Sequence, residues 1–295
     1  MTRYEPAIDV DAVTAIDTHV HIEIDVDGHT SLPTDLSEAA SRYFSTTGPR
    51  PDLDSVAAYY RERRMAAVVF TVDAETQLHH PPVDSAAIAQ GAARNNDVLI
   101  PYGSVDPRRP DALQRIHRLL DESGVRGFKF HPTVQGFDPS DPQWYPLYAA
   151  IQDAGVPALF HTGQTGIGAG MPGGYGFRLA LSNPMLLDGV AADFPDLQII
   201  MAHPSVPWQD EALSVATHKH NTWIDLSGWS PKYFPATLVR AAGSYLRSRI
   251  LFGSDFPLIT PDRWIADVQK ADLFTAEALP AIMKENAMRL LGLGR

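Results

Sequence analysis

Short apolar runs alternate with segments of helical periodicity along most of the chain. Eight of these runs are rich in β-branched or aromatic residues and are bounded by Gly, Pro or Asp, a pattern typical of buried parallel strands. Strands that alternate with helices predict repeated β-α units, and eight such units close a barrel. The predicted strands are 15–22, 66–73, 99–105, 127–132, 156–163, 198–205, 222–228 and 250–257.

Helical patterns fill the segments between these strands, and several begin with Asp, Asn or Pro, which favour a helix N-terminus. No linker interrupts the order, so we predict an α/β fold in which residues 1–295 form a single domain, a (β/α)8 TIM-type barrel. A last helix over 275–292 carries an apolar stripe that we expect to pack on the barrel exterior. The other predicted helices are 52–64, 81–95, 108–124, 141–155, 183–195, 208–220, 235–248 and 261–271.

Two connections are too long to be simple turns. Residues 23–51 follow the first predicted strand and are rich in Asp, Ser, Thr and Pro, while residues 163–182 follow the fifth and contain GIGAGMPGGYG. Both leave the carboxyl ends of their strands, where long loops often form lids or walls of a binding site. For 23–51 a disordered insertion is an equal alternative. The glycines lack the G-x-x-x-x-G-K-[ST] pattern, which disfavours a nucleotide site.

Composition narrows the class of protein. The chain has 295 residues, 44% of them hydrophobic, no Cys and a formal net charge of −11. The lack of Cys excludes disulfides, thiolate metal sites and a cysteine nucleophile. The acidity and the absence of a basic stripe disfavour nucleic acid and an anionic membrane as partners. Because neither a membrane-spanning run nor a signal peptide is evident, we expect a cytoplasmic protein.

Five of the apolar runs end in residues that bind metals or transfer protons. His19 and His21 are two residues apart, so on a strand their imidazoles face the same side, while His161 ends the fifth predicted strand and Asp255 the eighth. Side chains at these strand ends converge at the mouth of a barrel. Three imidazoles and a carboxylate suit Zn²⁺, Mn²⁺ or Fe²⁺ with one position left open. The alternatives are a hydrogen-bonded core histidine and a helix-capping Asp255.

The motifs in combination resemble those of a known enzyme family. DTHVH from Asp17, His161, His203 and FGSDFP near the end of the chain are similar to motifs of the amidohydrolase superfamily. Within it, the chain resembles the branch of aminocarboxymuconate semialdehyde decarboxylase and related "amidohydrolase 2" proteins. The resemblance runs from about Asp17 to Leu293.

This resemblance implies a metal centre and a set of roles. His19, His21, His161 and Asp255 would bind a divalent metal, with Zn²⁺ as the first expectation and Mn²⁺ or Fe²⁺ as alternatives. His203 would lie beside the metal and polarise the substrate or shuttle a proton. Asp255 would also act as a catalytic acid or base, depending on the reaction.

Six further residues are candidates for substrate binding. Lys129 either binds a substrate carboxylate, pairs with an acid inside the barrel, or is carbamylated and bridges two metals as in some superfamily relatives. His131 either contacts substrate or is a hydrogen-bonded residue at the rim. Cationic and aromatic side chains on loops would suit an anionic, aromatic-derived substrate, with a solvated rim as the alternative. These loop residues are Arg178, Trp229, Lys232 and Tyr233.

Such a site is open to two reactions on a small-molecule substrate. The first expectation is a hydrolase whose metal-activated water attacks a carbonyl of a lactone, ester or β-ketoacyl thioester, with Asp255 as the base. The alternative is a non-oxidative decarboxylase of an aromatic or conjugated carboxylic acid, with Asp255 as the proton donor. A third hypothesis, an inactive ligand-binding barrel, is disfavoured because all four ligand types are present. A homo-oligomer is expected from the fold rather than from any residue.

Overall fold

Eight short parallel strands form the centre of the computed structural model, which describes residues 2–46 and 50–294. They are β1 (Ala15–His21), β2 (Met65–Phe70), β3 (Leu99–Pro101), β4 (Phe128–Phe130), β5 (Ala158–His161), β6 (Ile199–Ala202), β7 (Thr222–Asp225) and β8 (Ile250–Leu251). Neighbours in sequence pair from β1 to β3 and from β4 to β8. Two parallel bridges, Gly103 with Phe128 and Val20 with Phe256, join these sheets and close the ring. The predicted (β/α)8 barrel is confirmed; its being a single domain stays a prediction.

The strands are shorter than their apolar patterns predict, mainly at their carboxyl ends. The predicted strand 250–257 pairs as β8 only over Ile250–Leu251. Beyond the paired residues the backbone turns into the mouth of the barrel, and His203 and Asp255 adopt positive φ values of 75° and 70°. The apolar pattern continues because these segments stay buried, although they have left the sheet.

A helix lies within each of the nine segments where the sequence predicts one. Caps explain several starts: the Asp52 side chain accepts a hydrogen bond from the Ser55 amide at 2.8 Å, and Thr260 accepts one from the Arg263 amide. The α-helices are α1 (Thr34–Phe44), α2 (Leu53–Glu62), α3 (Glu75–Leu78), α4 (Ser85–Arg94), α5 (Ala112–Arg118), α6 (Pro132–Gln135), α7 (Tyr145–Asp153), α8 (Leu186–Asp193), α9 (Gln209–His218), α10 (Ala236–Ala242), α11 (Pro261–Ala271), α12 (Ala278–Pro280) and α13 (Asn286–Leu291).

Shorter helical turns complete the framework. A π-helical turn extends α5 and another joins α12 to α13, so the predicted helix 275–292 is a composite. The π turns are Leu119–Ser123 and Ala281–Glu285, and the 3-10 helices are Pro142–Trp144, Pro172–Gly176, Leu179–Ser182, Pro231–Tyr233 and Arg247–Arg249. Across the described ranges, every helix is too short or too polar to cross a bilayer.

Helix α1 was not predicted. It occupies residues 34–44 of the long connection after β1 and buries Leu36, Ala39 and Ala40. Leu36 packs with residues of α3 and α6, which anchors the helix over the mouth of the barrel. Part of the connection, residues 47–49, lies outside the described residues. The second long connection, 163–182, contains two of the 3-10 helices.

The last helix covers one end of the barrel interior. Ala287 and Leu291 of α13 join a buried apolar cluster with Ile16 and Leu251 of the strands. In β2, alternate residues belong to this cluster and to the cluster beneath the surrounding helices, so the former marks the barrel interior. The expected packing of 275–292 on the barrel exterior is thus correct only in part, because Ala287 and Leu291 also shield the apolar side chains of the barrel interior from solvent.

Candidate metal centre

Side chains of β1 and of the segment that follows β8 meet at the mouth of the barrel. The Nε2 atoms of His19 and His21 are 3.2 Å apart. Oδ1 of Asp255 lies 3.4 Å from Nε2 of His19 and 3.2 Å from Nε2 of His21. Two donors, each about 2.1 Å from a tetrahedral ion, are themselves about 3.4 Å apart. The spacing of these three side chains therefore fits ligands of one divalent ion.

Two further histidines adjoin this group. A nitrogen of His203, a nitrogen of His19 and a carboxylate oxygen of Asp255 all lie within 4.8 Å of one another. His161 Nδ1 is 2.9 Å from His203 Nε2, and His161 Nε2 is buried without a hydrogen-bond partner. A buried imidazole nitrogen normally has a partner, and a metal ion would supply one here. The donor set thus fits a metal, although the division of roles between His161 and His203 stays a prediction.

Burial sets the protonation of these groups. It lowers the pKa of His19 well below its ordinary value and that of His203 to about 4, so both imidazoles are neutral near pH 7. Burial opposes ionisation of Asp255, but the hydrogen bond with His21 and nearby positive charges outweigh it and lower the pKa of that carboxyl. Neutral imidazoles beside a carboxylate are the forms that bind a divalent cation.

Asp225, the last residue of β7, and Ser227, just beyond it, orient two of the histidines. Asp225 Oδ2 is 2.7 Å from Nδ1 of His19, and both side chains are fully buried. Ser227 Oγ lies 3.0 Å from that same Nδ1 and 2.9 Å from Nδ1 of His203. A proton on Nδ1 of His19, donated to Asp225, leaves Nε2 free to bind a metal. Asp225 and Ser227 are not among the predicted site residues, although their spacing at a strand end repeats that of His19 and His21.

A buried carboxylate, Asp17, connects β1 to the segment that follows β8. Asp17 accepts hydrogen bonds from the Tyr60 hydroxyl at 2.7 Å, from Oγ and the amide of Ser254 at 2.5 and 2.9 Å, and from the His19 amide at 3.1 Å. Burial raises the pKa of Asp17 to about 6, against these hydrogen bonds. Asp17 therefore fixes the backbone next to His19 to the residue that precedes Asp255. Tyr60, on α2, is a third residue that the motifs did not indicate.

The mouth opens into a pocket between the connections that leave the strands. Its polar part contains His21, His131, His161, His203 and Asp255. The connections after β1, β5, β7 and β8 supply apolar and aromatic side chains, and the ring of Phe44 lies so close to Gly166 that a Cβ there would fall 2.5 Å from it. The helix α1 and the glycine-rich loop therefore meet at the pocket. The apolar lining includes Ile22, Leu32, Phe44, Ile167, Trp229 and Leu258.

Two of the six predicted substrate-binding residues line this pocket. They are His131, whose ring stacks on that of His161 with centroids 3.8 Å apart, and Trp229. Lys129 lies inside the barrel instead, with Nζ 3.3 Å from Nε2 of His19 and its side chain fully buried. Burial lowers the pKa of Lys129, while the charges of Asp225 and Asp255 oppose that shift.

The other three predicted substrate-binding residues are not brought to the pocket. Arg178 is exposed and does not line it. Lys232 and Tyr233 belong to a 3-10 turn that points outward, where Tyr233 is 63% exposed and the Lys232 ammonium lies over its ring at 4.8 Å. The sequence placed these side chains near the mouth, but the turn directs them to solvent.

A family model described as amidohydrolase matches residues 16–293. The chain belongs to the amidohydrolase family. The resemblance found in the motifs is thereby confirmed, and the protein is an enzyme of the amidohydrolase superfamily.

Solved structures share the fold of this amidohydrolase. An uncharacterised TIM-barrel protein, Bb4693 of Bordetella bronchiseptica, has a TM-score of 0.74 and 23% identity, covering 94% of this chain and 98% of its own. A 5-carboxyvanillate decarboxylase of Novosphingobium aromaticivorans, complexed with manganese and 4-hydroxy-3-methoxy-5-nitrobenzoic acid, has a TM-score of 0.67 and 15% sequence identity, covering 99% of this chain and 100% of its own. A probable 2-pyrone-4,6-dicarboxylic acid hydrolase of Acinetobacter baumannii, with citric acid bound, has a TM-score of 0.62 and 16% sequence identity, covering 95% of this chain and 100% of its own.

A curated sequence also matches part of the chain. Over 105 residues, 35% of this chain, the amidohydrolase is 31% identical to a 3-methyl-2-oxobutanoate hydroxymethyltransferase of Geobacillus kaustophilus. The match spans only 33% of that protein's length.

Proposed function

We propose that this amidohydrolase is a metal-dependent, non-oxidative decarboxylase of a small aromatic carboxylic acid. The observation that carries the proposal is the position of Asp255, a buried carboxylate that faces a pocket whose wall also carries apolar and aromatic side chains. Such a wall holds a flat ring and keeps it within reach of the carboxylate. The likeness to a decarboxylase that binds manganese and a nitrobenzoic acid supports this choice over hydrolysis.

In this proposal His19, His21, His161 and Asp255 hold the metal. The fit rests on the spacing of the first two with Asp255 and on the unpartnered Nε2 of His161. When bound, a divalent metal acts as a Lewis acid that grips and polarises a substrate oxygen. Nitrogen and oxygen donors suit both Mn²⁺ and Zn²⁺. The manganese of the similar decarboxylase leads us to propose Mn²⁺ alongside the Zn²⁺ first expected.

The protein's own groups then account for the proton. Asp255, ionised at rest because its pKa is lowered, takes up one proton from solvent when the substrate carboxylate is bound. It returns that proton to the ring carbon as the bond to the carboxylate breaks, with the bonding electron pair left on carbon and neutral CO₂ released. His203, which lines the pocket and is neutral near pH 7, would polarise the substrate by exchanging the contact of its Nε2 with Nδ1 of His161 for one with the reacting group. The apolar lining excludes water and favours the loss of charge.

Hydrolysis is the second candidate, and one observation favours it. Because its pKa is lowered, Asp255 is ionised at rest, which is the form in which a general base begins, whereas a general acid must first take up a proton. The likeness of the fold to that of a probable 2-pyrone-4,6-dicarboxylic acid hydrolase supports this second candidate.

The two candidates differ in their products. We propose incubating the metal-loaded enzyme with hydroxybenzoic acids, lactones and β-ketoacyl thioesters in D₂O. Decarboxylation predicts CO₂ and one deuterium on the carbon that carried it. Hydrolysed product without CO₂ would replace this proposal by the second. Asp255→Asn should abolish turnover of the accepted substrate, because an amide cannot transfer the proton.

Metal analysis tests the ligand assignment separately. His19→Ala and His161→Ala should remove bound metal, whereas His117→Ala, at an exposed position of α5, should not. Asp225→Asn should weaken metal binding by about 10- to 100-fold, because it removes the acceptor that orients His19. Full metal occupancy in the first two variants would refute the assignment of His19 and His161 as metal ligands. A purified enzyme that neither holds nor takes up metal would restore the inactive-barrel hypothesis.

A further inference from the structure

The charges around the pocket are unbalanced. Glu23 and Asp255 both line it, whereas no Lys or Arg does so among the residues that the structure describes. Lys129 is buried inside the barrel, and Arg178 and Lys232 are directed to solvent. A substrate carboxylate that does not reach the metal would therefore meet no cation at the pocket surface.

Glu23 is held in place at this surface. Its Oε2 is 2.8 Å from Nε of Arg50, and the two side chains are only 18% and 15% exposed. Arg50 also donates to Oγ of Ser41 on α1 at 3.3 Å, and the Glu23 carbonyl accepts the Ser31 amide at 3.0 Å. The ion pair joins the two ends of the connection after β1. Glu23 thus has a fixed carboxylate at the pocket, with its cationic partner behind it rather than in the lining.

A carboxylate in this position discriminates between substrates by charge and by hydrogen bonding. It accepts hydrogen bonds but donates none, so it favours a hydroxyl or amine on the substrate. A second carboxylate at the same point would be a like charge, desolvated and without a counter-ion, which is unfavourable. The group that opposes Glu23 is therefore expected to be a donor.

We propose that Glu23 is a specificity-determining residue, which selects aromatic acids with a single carboxylate and a hydrogen-bond donor and rejects aromatic dicarboxylates. This inference rests on the proposed function for the orientation of the first carboxylate toward the metal. It differs from what the names of two of the similar proteins suggest, since those two name a carboxyvanillate and a pyrone dicarboxylic acid.

The test compares two probes that differ in one group, 3-hydroxybenzoate and benzene-1,3-dicarboxylate. Their binding to the metal-loaded enzyme is measured by calorimetry, and no turnover is needed. The wild type should bind the hydroxybenzoate at least about tenfold more tightly. Glu23→Gln should reduce this preference to about threefold or less. Glu38→Gln, which removes the same charge from an exposed position of α1, should leave the preference unchanged.

A second variant guards against a general disturbance of the connection. Arg50→Gln breaks the same ion pair but leaves the carboxylate, so the preference for the hydroxybenzoate should rise, whereas a structural effect would move it as Glu23→Gln does. Equal or tighter binding of the dicarboxylate to the wild type, or no binding of either probe, would overturn the proposal. If the enzyme releases CO₂ from a hydroxybenzoic acid but Glu23→Gln leaves the preference between the two probes unchanged, this inference is refuted and the proposed function stands.

Discussion

Replacing Tyr60 with Phe tests how much the hydrogen bonds to buried Asp17, which join β1 to the segment after β8, contribute to the free energy of unfolding. The change removes only the hydroxyl that donates to Asp17 at 2.7 Å. The ring keeps its contacts with Tyr59 and Phe256, whose centroids lie 5.6 and 5.9 Å away. Burial beside Asp17 raises the pKa of Tyr60 well above its ordinary value, so the native hydroxyl keeps the proton that it donates.

The expected cost follows from the charge of the acceptor. Asp17 is fully buried, and at pH 8 it is ionised because its pKa is about 6. A hydrogen bond to a buried charged group contributes about 1.5 to 3 kcal/mol, against about 1 kcal/mol for a neutral acceptor. Three other hydrogen bonds to Asp17 remain in the variant, from Ser254 and from the His19 amide. We therefore expect Tyr60→Phe to lower the free energy of unfolding by about 2 kcal/mol.

Urea unfolding at pH 8 measures this change, with Tyr148→Phe as the matched control. Tyr148 is equally buried, but its hydroxyl donates to a neutral acceptor, the Pro139 carbonyl, at 2.9 Å. The control should lose about 1 kcal/mol, so the difference between the variants isolates the charge of Asp17. Equal losses in the two variants, at unchanged denaturant dependence, would refute the reasoning.

Three further predictions concern other parts of the molecule. Gly228→Ala should lower the free energy of unfolding and the metal content more than Gly155→Ala does. Both glycines have positive φ, 73° and 66°, but only at Gly228 would a Cβ fall 2.4 Å from Nδ1 of His203. Equal losses of stability on urea unfolding would contradict this. The hydrogen bond from Arg63 lowers the pKa of Asp262 below its ordinary 3.8, so its contribution to stability is present above pH 3.8 and is lost as the pH falls through the lowered value. Asp262→Asn should therefore cost about 0.5 kcal/mol at pH 7 and progressively less below pH 3.8, as measured by thermal unfolding. Removal of metal by a chelator should lower the unfolding temperature, and added Mn²⁺ or Zn²⁺ should restore it, whereas an unchanged temperature would count against a bound metal.

The sequence predicts the barrel well because each strand is a continuous apolar run with a turn signal at its end. Helix α1 is not predicted from the sequence because its buried residues, Leu36, Ala39 and Ala40, form only a short apolar stripe within a polar segment. A spacing of three and four residues was the available signal. The long connection was interpreted as a lid or a disordered insertion for want of a longer periodicity.

The site could be predicted where local geometry decides it. His19 and His21 share a face because they are two residues apart on a strand, and the structure does bring Asp255 to them. Arg178 and Lys232 depend on the direction of a loop, which tertiary contacts determine and the local sequence does not. Asp225 could have been found by its position at the end of β7, but its role as the partner of His19 is visible only in three dimensions.

The hydrogen bonds between β1 and the segment after β8 have a consequence for folding. Amides of Thr18 and His21 donate to carbonyls of Phe252 and Phe256, and the Asp255 amide donates to the carbonyl of His19. Thr18 and Phe252 are 234 residues apart in sequence, so these bonds form only after much of the chain between them has become compact. The histidines of β1 therefore meet Asp255 only when the ring closes, and a partly folded chain offers a metal an incomplete site.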